Sequence, residues 1–169
     1  MKHKKMIFGV WVLSAILLGA CDASTNATQT EVKSPAVQAN KAQETREVVM
    51  YKSPNCECCD GWAEHLRKAG FAVKVNKRDD MNAIKTEYGV PEKLASCHTA
   101  LIDGYVIEGH VPAADVERLL KERPNVVGLT APGMPMKSPG MQTVGAAPKN
   151  YDVLSFTKDG QTKVFKHYE

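Results

Sequence analysis

Three of the five cysteines in this 169-residue chain fall within four consecutive positions, at Cys56, Cys58 and Cys59. Cys56 and Cys59 have the C-x-x-C spacing of redox proteins. Disulfide exchange and metal binding both use a thiolate, which amide N–H groups and the helix dipole stabilise at a helix start. One disulfide uses two thiols, so Cys58 is left over. A third thiol beside an exchanging pair invites wrong pairings, whereas a metal site gains from the same crowding, so the spacing favours metal.

The apolar pattern predicts the elements that must position these cysteines, in a domain that spans residues 47–169. The apolar run at residues 47–52 predicts a buried strand. The segment after the cysteines predicts a helix, because Trp62, Leu66 and Ala69 recur at helical spacing. The other predicted elements are a strand at residues 71–77, a helix after Asp79-Asp80, a hairpin turning at Asp103-Gly104 and a helix with Pro112 near its start.

The order of these elements, β-α-β-α-β-β-α, predicts an α/β protein with a thioredoxin-like core. The cysteine cluster lies between the first strand and the first helix, where a thioredoxin carries its C-x-x-C motif. Two pieces are predicted to follow the core. They are a loop rich in Pro, Gly and Met at residues 131–141 and a C-terminal β-hairpin that turns at Asp159-Gly160.

This order of elements also predicts where Cys97 and His98 lie relative to the cysteine loop. In thioredoxin-like proteins, the strand after the second helix opens with a cis-proline that faces the C-x-x-C motif. The corresponding stretch here, "SCHTALIDG", has Cys97-His98 at that point and no proline. On this alignment Cys97 or His98 faces the cysteine loop, and four thiolates converge with an imidazole nearby. A soft ligand in place of a substrate-docking proline favours metal over exchange.

Three methionines, Met134, Met136 and Met141, fall in the loop at residues 131–141. Methionine usually fills cores, but three in one Pro/Gly-rich loop is dense for a chain with seven. Thioethers and thiolates are soft donors that together select Cu(I) over harder ions. The loop methionines are therefore candidate additional ligands, with core packing as the alternative.

The histidines carry less information than the cysteines. His98 adjoins Cys97 and is either a ligand, a partner of a ligand or a core residue. His110 precedes a helix and is expected to be a cap or turn residue, with peripheral metal ligation as the alternative. His65 and His167 are expected to be solvated surface residues.

The N-terminus predicts export and a lipid anchor. Residues 1–20 combine a basic start with an apolar run of signal-peptide length, too short for a comfortable membrane-spanning helix. The sequence "LGAC" resembles a lipobox, which predicts lipidation of Cys21, with a plain secretory signal as the alternative. Residues 21–46 contain no aromatic residue and predict a flexible linker. Asp22 favours the inner membrane, so the expected location is the periplasmic side of a bacterial cell envelope, where disulfides persist.

The charge balance excludes one class of partner. The formal net charge is +3, and it comes from Lys2, Lys4 and Lys5 at the N-terminus. Without these three lysines the chain has as many basic as acidic residues, so it has no basic stripe for phosphate backbones. No nucleic-acid partner is expected.

Three stretches together resemble the CopG-type copper-resistance family, which consists of small exported thioredoxin-like proteins. They are "YKSPNCECCDGW", "GVPEKLASCHTALIDGYVIEGHVPAADVERLL" and "PGMPMKSPGM". The resemblance covers essentially all of residues 47–169, although many relatives look freely periplasmic. It implies copper binding for resistance or homeostasis in the cell envelope, with other envelope copper proteins as candidate partners, and the soft donors favour copper as Cu(I). The resemblance also implies that the copper ions are bridged by the thiolates of Cys56, Cys58, Cys59 and Cys97.

Other functions stay open at the level of sequence. The chain is predicted to be a metal-binding protein with no assigned catalytic residue, and redox handling of copper is a variant of that prediction. The main alternative is a membrane-tethered thiol–disulfide oxidoreductase that uses Cys56 and Cys59. Two structural disulfides are disfavoured, because Cys58 and Cys59 are adjacent and a bridge between them is strained. Zinc and iron–sulfur centres also accept four cysteines, but vicinal ligands fit a single tetrahedral ion poorly.

Overall fold

Seven strands form one mixed sheet in the order β2-β1-β3-β4-β5-β6-β7. The computed structural model describes residues 45–143 and 145–169. Its helices are α1 (Glu57–Lys68), α2 (Met81–Glu87) and α3 (Ala113–Glu122). Its strands are β1 (Glu47–Lys52), β2 (Ala72–Lys77), β3 (His98–Ile102), β4 (Tyr105–Glu108), β5 (Gly128–Thr130), β6 (Tyr151–Phe156) and β7 (Thr162–Tyr168).

The N-terminal predictions lie outside the described residues. The signal peptide at residues 1–20, the lipidated Cys21 and nearly all of the linker at residues 21–46 are among them, and they stay predictions. In the part of the chain that the structure describes, no helix has the length and apolar character needed to cross a membrane.

The first seven elements follow the predicted order, and the mixed α/β class is confirmed. β1 and β2 are parallel and are joined through α1, whereas β3 is antiparallel to both β1 and β4. The β3–β4 hairpin turns at Asp103 and Gly104, which both have positive φ, as a type I′ hairpin turn requires. The pairing of β1 with β3 places Lys52 opposite His98. The segment after β1, which holds the first three cysteines, therefore lies beside the segment before β3.

The strand β5 was not predicted. It has only three residues, too few for an alternating pattern, and it pairs parallel to β4 and antiparallel to β6. Gly128 begins it because a side chain there would collide with the backbone of Val106. The predicted C-terminal hairpin is confirmed as β6 and β7, and β5 joins it to the rest of the sheet.

The core holds α1 and α3 against the sheet. Trp62 and Leu66 of α1, Met50 of β1, Ile107 of β4 and Leu119 of α3 are all fully buried. Each such side chain contributes about 1.5–3 kcal/mol relative to leaving it in water. This packing fixes the first turn of α1, and with it the cysteines, relative to β3 and β4.

The prediction that His65 is a solvated residue is only partly correct, because the residue is half-buried. Its Nε2 accepts a hydrogen bond from the backbone N–H of Ala113, at 3.0 Å. The first N–H groups of a helix have no partner within it, and Pro112 gives α3 no side-chain cap. His65 supplies the missing acceptor from α1. His167 is exposed as predicted, and its Nδ1 lies 2.6 Å from Asp152 Oδ1.

Candidate metal centre

The first three cysteines lie at the start of α1. Cys56 is the N-cap residue, and its sulfur makes no capping hydrogen bond. Cys56 and Cys59 form a disulfide, and Cys58 keeps a free thiol. The Sγ atoms of Cys56 and Cys58 are 3.5 Å apart. The C-x-x-C pair is thus in its oxidised form, with the surplus thiol directly beside it.

Cys97 completes a group of four. It lies immediately before β3, on the chain segment that the β1–β3 pairing brings next to the cysteine loop. The four Sγ atoms all lie within 4.8 Å of one another. The structure therefore brings together the four cysteines named from the sequence. Their binding of metal remains a prediction.

Cys97 also belongs to a second group, with His98 and His110, whose ligand atoms likewise lie within 4.8 Å of one another. His110 Nδ1 is 2.6 Å from the carbonyl oxygen of Pro139, so Nδ1 carries the proton and donates it. The lone pair of His110 Nε2 then faces Cys97 Sγ, at 2.9 Å. Metal-ligating histidines usually donate their other ring N–H to a carbonyl or carboxylate in this way.

His98 is fully buried against the ring of Trp62, with the two ring centroids 4.4 Å apart. Its Nδ1 lies 3.5 Å from Cys97 Sγ, and its Nε2 has no hydrogen-bond partner among the described residues. The nitrogen that faces Cys97, and that can share a metal ion with it, is therefore Nδ1. The expected turn position of His110 is correct, since it follows β4, but its ring is buried in the site.

Burial sets the protonation states of this group. Burial, followed by the neighbouring His110, lowers the pKa of His98 well below its ordinary value. Burial also lowers the pKa of His110. Both imidazoles are therefore neutral, the form that binds metal. Burial and then the nearby Cys58 raise the pKa of Cys97 to about 12. A metal that binds Cys97 must therefore displace its proton.

The loop at residues 131–141 is tied to the site at two points. Near its start, the N–H of Gly133 donates to the carbonyl of Ala95 at 3.0 Å, two residues before Cys97. Near its end, Gly140 packs so tightly on α1 that an added Cβ would lie 2.6 Å from the Cys58 carbonyl oxygen. Between these points, Met134 and Met136 are 57% and 70% exposed, and beyond them Met141 is half-buried.

One further residue, absent from the predicted site, supports the cysteine helix. Lys52 ends β1, is buried, and binds Asp60 in the first turn of α1, with Nζ 2.7 Å from Oδ2. A carboxylate near a helix N-terminus is itself favourable. The ion pair thus ties the end of β1 to the helix that carries Cys58 and Cys59. The available signal was a lysine that closes an apolar strand just before the cysteines.

Comparison with known proteins gives the family. A family model described as a protein of unknown function, DUF411, matches residues 94–141, which include Cys97, His98 and His110. No curated protein matches the chain. Two solved structures, of the copper resistance protein copG in form 2 and form 1, are each 43% identical to it. Form 2 is covered over 100% of its length and 75% of this chain, at a TM-score of 0.69. Form 1 is covered over 98% of its length and 74% of this chain, at 0.68. Because the identity is this high over essentially the whole of both structures, the chain belongs to the CopG family of copper resistance proteins.

Proposed function

We propose that the protein binds copper in the bacterial cell envelope, for copper resistance or homeostasis, through Cys56, Cys58, Cys59 and Cys97. One observation carries the proposal: four Sγ atoms within 4.8 Å of one another, in a chain 43% identical to copper resistance proteins over their whole length. Four thiolates with neutral imidazoles beside them are a soft donor set, which suits Cu(I).

More than one copper ion fits this geometry better than a single ion. Cys58 and Cys59 are adjacent in the chain, so they cannot easily take two corners of one tetrahedron. Cys97 belongs both to the four-cysteine group and to the group with His98 and His110. A bridging thiolate at Cys97 would serve an ion in each group. The lone pair of His110 Nε2 and the Nδ1 atom of His98, which lies 3.5 Å from Cys97 Sγ, are the additional ligands we favour. The exposed Met134 and Met136 are candidates for an outer position, with Met141 nearer the fold.

The core from β1 to α3 supports a thioredoxin-like origin for the site. Its element order and its cysteines between β1 and α1 are typical of that fold. Cys97 stands just before β3, where thioredoxin-like proteins hold a proline for substrate docking. We propose that Cys97, in place of the proline, turns a substrate-docking surface into a metal-binding one. The lipobox-like sequence before Cys21 supports anchoring on the periplasmic side of the inner membrane.

A second function is favoured by the disulfide between Cys56 and Cys59. A C-x-x-C disulfide at the start of a helix is the oxidised form of a thiol–disulfide oxidoreductase, the main alternative from the sequence. In that case Cys58 and Cys97 would be dispensable for activity. The same cysteines could also exchange electrons with bound copper, so redox handling of copper belongs to the first proposal.

The deciding experiment measures copper content in protein purified and reduced without oxygen, with X-ray absorption at the copper edge. We expect several copper ions per chain with sulfur ligands, and loss of most copper in Cys58→Ser and in Cys97→Ser. His167→Gln is the control, since its ring lies on the surface beside Asp152. Full copper content in the quadruple serine variant at positions 56, 58, 59 and 97 would refute copper binding at this site. Dithiol activity that survives Cys58→Ser and Cys97→Ser would support the oxidoreductase instead.

A further inference from the structure

We infer that Glu108 is a positioning residue that holds Cys97 in place through the backbone of Ser96. Glu108 ends β4 and is fully buried, although it carries a carboxylate. Charged residues are rarely buried unless they are paired and hydrogen-bonded. The inference rests on the proposed copper function only for its consequence, since the positioning itself can be measured without metal.

The carboxylate of Glu108 accepts hydrogen bonds from three directions. Lys85 Nζ donates to Oε1 at 2.5 Å, and the hydroxyl of Thr99 donates to Oε2 at 2.7 Å. The backbone N–H of Ser96 donates to Oε1 at 2.6 Å. Lys85 balances the charge and Thr99 lies opposite on β3, so the sheet and α2 fix the carboxylate. The bond to Ser96 is the one that reaches into the segment before β3.

Ser96 is held on its other sides as well. Its hydroxyl donates to the carbonyl of Gly133, in the loop that crosses the site. Gly109 lies beneath it with a φ of +72°, and a Cβ there would collide with the Ser96 side chain. Ser96 therefore sits between Glu108, the bare backbone of Gly109 and the carbonyl of Gly133. Only its N–H bond to Glu108 comes from a charged side chain.

This arrangement determines where Cys97 points. Cys97 lies outside β3, since the strand begins at His98, so the sheet ladder does not fix it. Its sulfur must nevertheless stay 2.9 Å from His110 Nε2 and within 4.8 Å of the other thiols. With Ser96 clamped on one side and His98 paired in β3 on the other, Cys97 has little freedom to turn away. Without an acceptor for the Ser96 N–H, the segment before β3 would shift so that water could accept this hydrogen bond.

Two double variants separate positioning from general stability. Lys85→Met with Glu108→Leu replaces the buried ion pair by apolar side chains of similar size, a change that proteins often tolerate or gain from. Lys85→Met with Glu108→Gln removes the same charges but keeps a side-chain oxygen for the Ser96 N–H. The two proteins differ at one position, and thermal denaturation shows whether both are folded. Asp115→Asn is a further control, because Asp115 is a buried carboxylate that binds Tyr168 of β7 and Arg118.

The first readout is the rate at which iodoacetamide labels Cys97 in the reduced, metal-free proteins, measured by mass spectrometry. We expect the leucine variant to react about fivefold to tenfold faster at Cys97 than the glutamine variant, as loss of one buried hydrogen bond implies. The second readout is Cu(I) affinity by competition with a colorimetric chelator. It should fall about tenfold in the leucine variant, the size of effect seen when supporting partners of metal ligands are removed. Asp115→Asn should leave both readouts unchanged.

Equal labelling of Cys97 in the two folded double variants would overturn the inference, whatever the copper result. A wild-type protein that binds no copper would refute the proposed function, but the labelling contrast would still test the positioning. If the leucine variant does not fold, hydrogen exchange on the wild-type protein decides. A Ser96 amide protected as well as the β3 amides supports the inference, and one that exchanges like an exposed loop amide contradicts it.

Discussion

The two halves of the candidate metal centre are built in different ways. Cys56, Cys58 and Cys59 lie on one short stretch of chain at the start of α1, two of them half-buried, and Cys56 and Cys59 are joined by a disulfide. Cys97 is assembled with His98 and His110 from the segment before β3 and the turn after β4. Both histidines are fully buried. The first half is local and contains a disulfide, whereas the second is tertiary and its histidines are buried.

The difference indicates a division of labour. In the second half, hydrogen bonds from separate parts of the chain already aim the donors: Pro139 orients His110, and Glu108 holds Ser96 next to Cys97. The first half offers only one free thiol until its disulfide is reduced. We therefore expect the second half to set where copper binds and the first half to set when it binds.

The largest expected effect concerns oxidation of the first half. With Cys56 and Cys59 joined, two of the four cysteines cannot act as thiolate ligands. We expect the oxidised protein to take up at most about half the copper of the reduced protein, since two free thiols remain. Elemental analysis after anaerobic loading and desalting measures the ratio.

The double variant Cys56→Ser with Cys59→Ser is the matched control for that experiment. It has the same two free thiols as the oxidised protein and no disulfide to reduce. Its copper content should be low and the same with and without a dithiol reductant. Equal loading of the oxidised and reduced wild-type proteins would show that the disulfide does not gate the site, and the contrast between the halves would lose its functional meaning.

A smaller effect is expected where the loop joins the two halves. Pro139 accepts from His110, and Gly140 packs on α1 with a φ of +89°. A Cβ at Gly140 would lie 2.6 Å from the backbone at both Cys58 and Trp62. Gly140→Ala should therefore lower the free energy of unfolding, measured by urea denaturation, and weaken copper binding by displacing the loop from both halves.

Gly70→Ala is the control for Gly140→Ala. Gly70 has nearly the same φ, +90°, but an added Cβ would meet nothing within 4 Å. It tests the strain of the backbone conformation alone. We expect Gly140→Ala to cost about 1–3 kcal/mol more than Gly70→Ala, the usual range for forcing atoms into a packed site. Equal losses of unfolding free energy in the two variants would mean that the loop shifts easily and does not support the site.

The same contrast explains what the sequence could predict. The spacing of Cys56, Cys58 and Cys59 identifies them from the sequence, and the order of the elements around them, matched to the thioredoxin-like fold, predicts that Cys97 or His98 faces them. The hydrogen-bonded support could not be predicted, because it depends on atoms far apart in the chain. Lys85 and Glu108 are 23 positions apart, and His110 and Pro139 are 29 apart. The strand β5 could not be predicted because three residues are too few to show an alternating pattern. The capping role of His65 could not be predicted because His65 caps a different helix from its own.

The smallest expected effect is the loss of stability at low pH that the buried histidines cause, inside the candidate site and outside it. Burial lowers the pKa of His98 and His110 and also that of His65, which lies outside the metal centre. The unfolded chain takes up these protons near the ordinary histidine pKa of 6.5, whereas the folded protein resists them. The metal-free domain should therefore be most stable above about pH 6.5 and lose stability as the pH falls below it.

Each such histidine adds at most about 1.4 kcal/mol per pH unit to that loss, and the half-exposed His65 adds less because solvent screens it. His65→Gln keeps an acceptor for the N–H of Ala113 but cannot take up a proton. Its melting temperature should fall less than that of the wild type between about pH 7 and pH 5. If His65→Gln keeps the full wild-type slope, His65 does not contribute measurably to the acid sensitivity, which is then left to other buried groups such as His98 and His110.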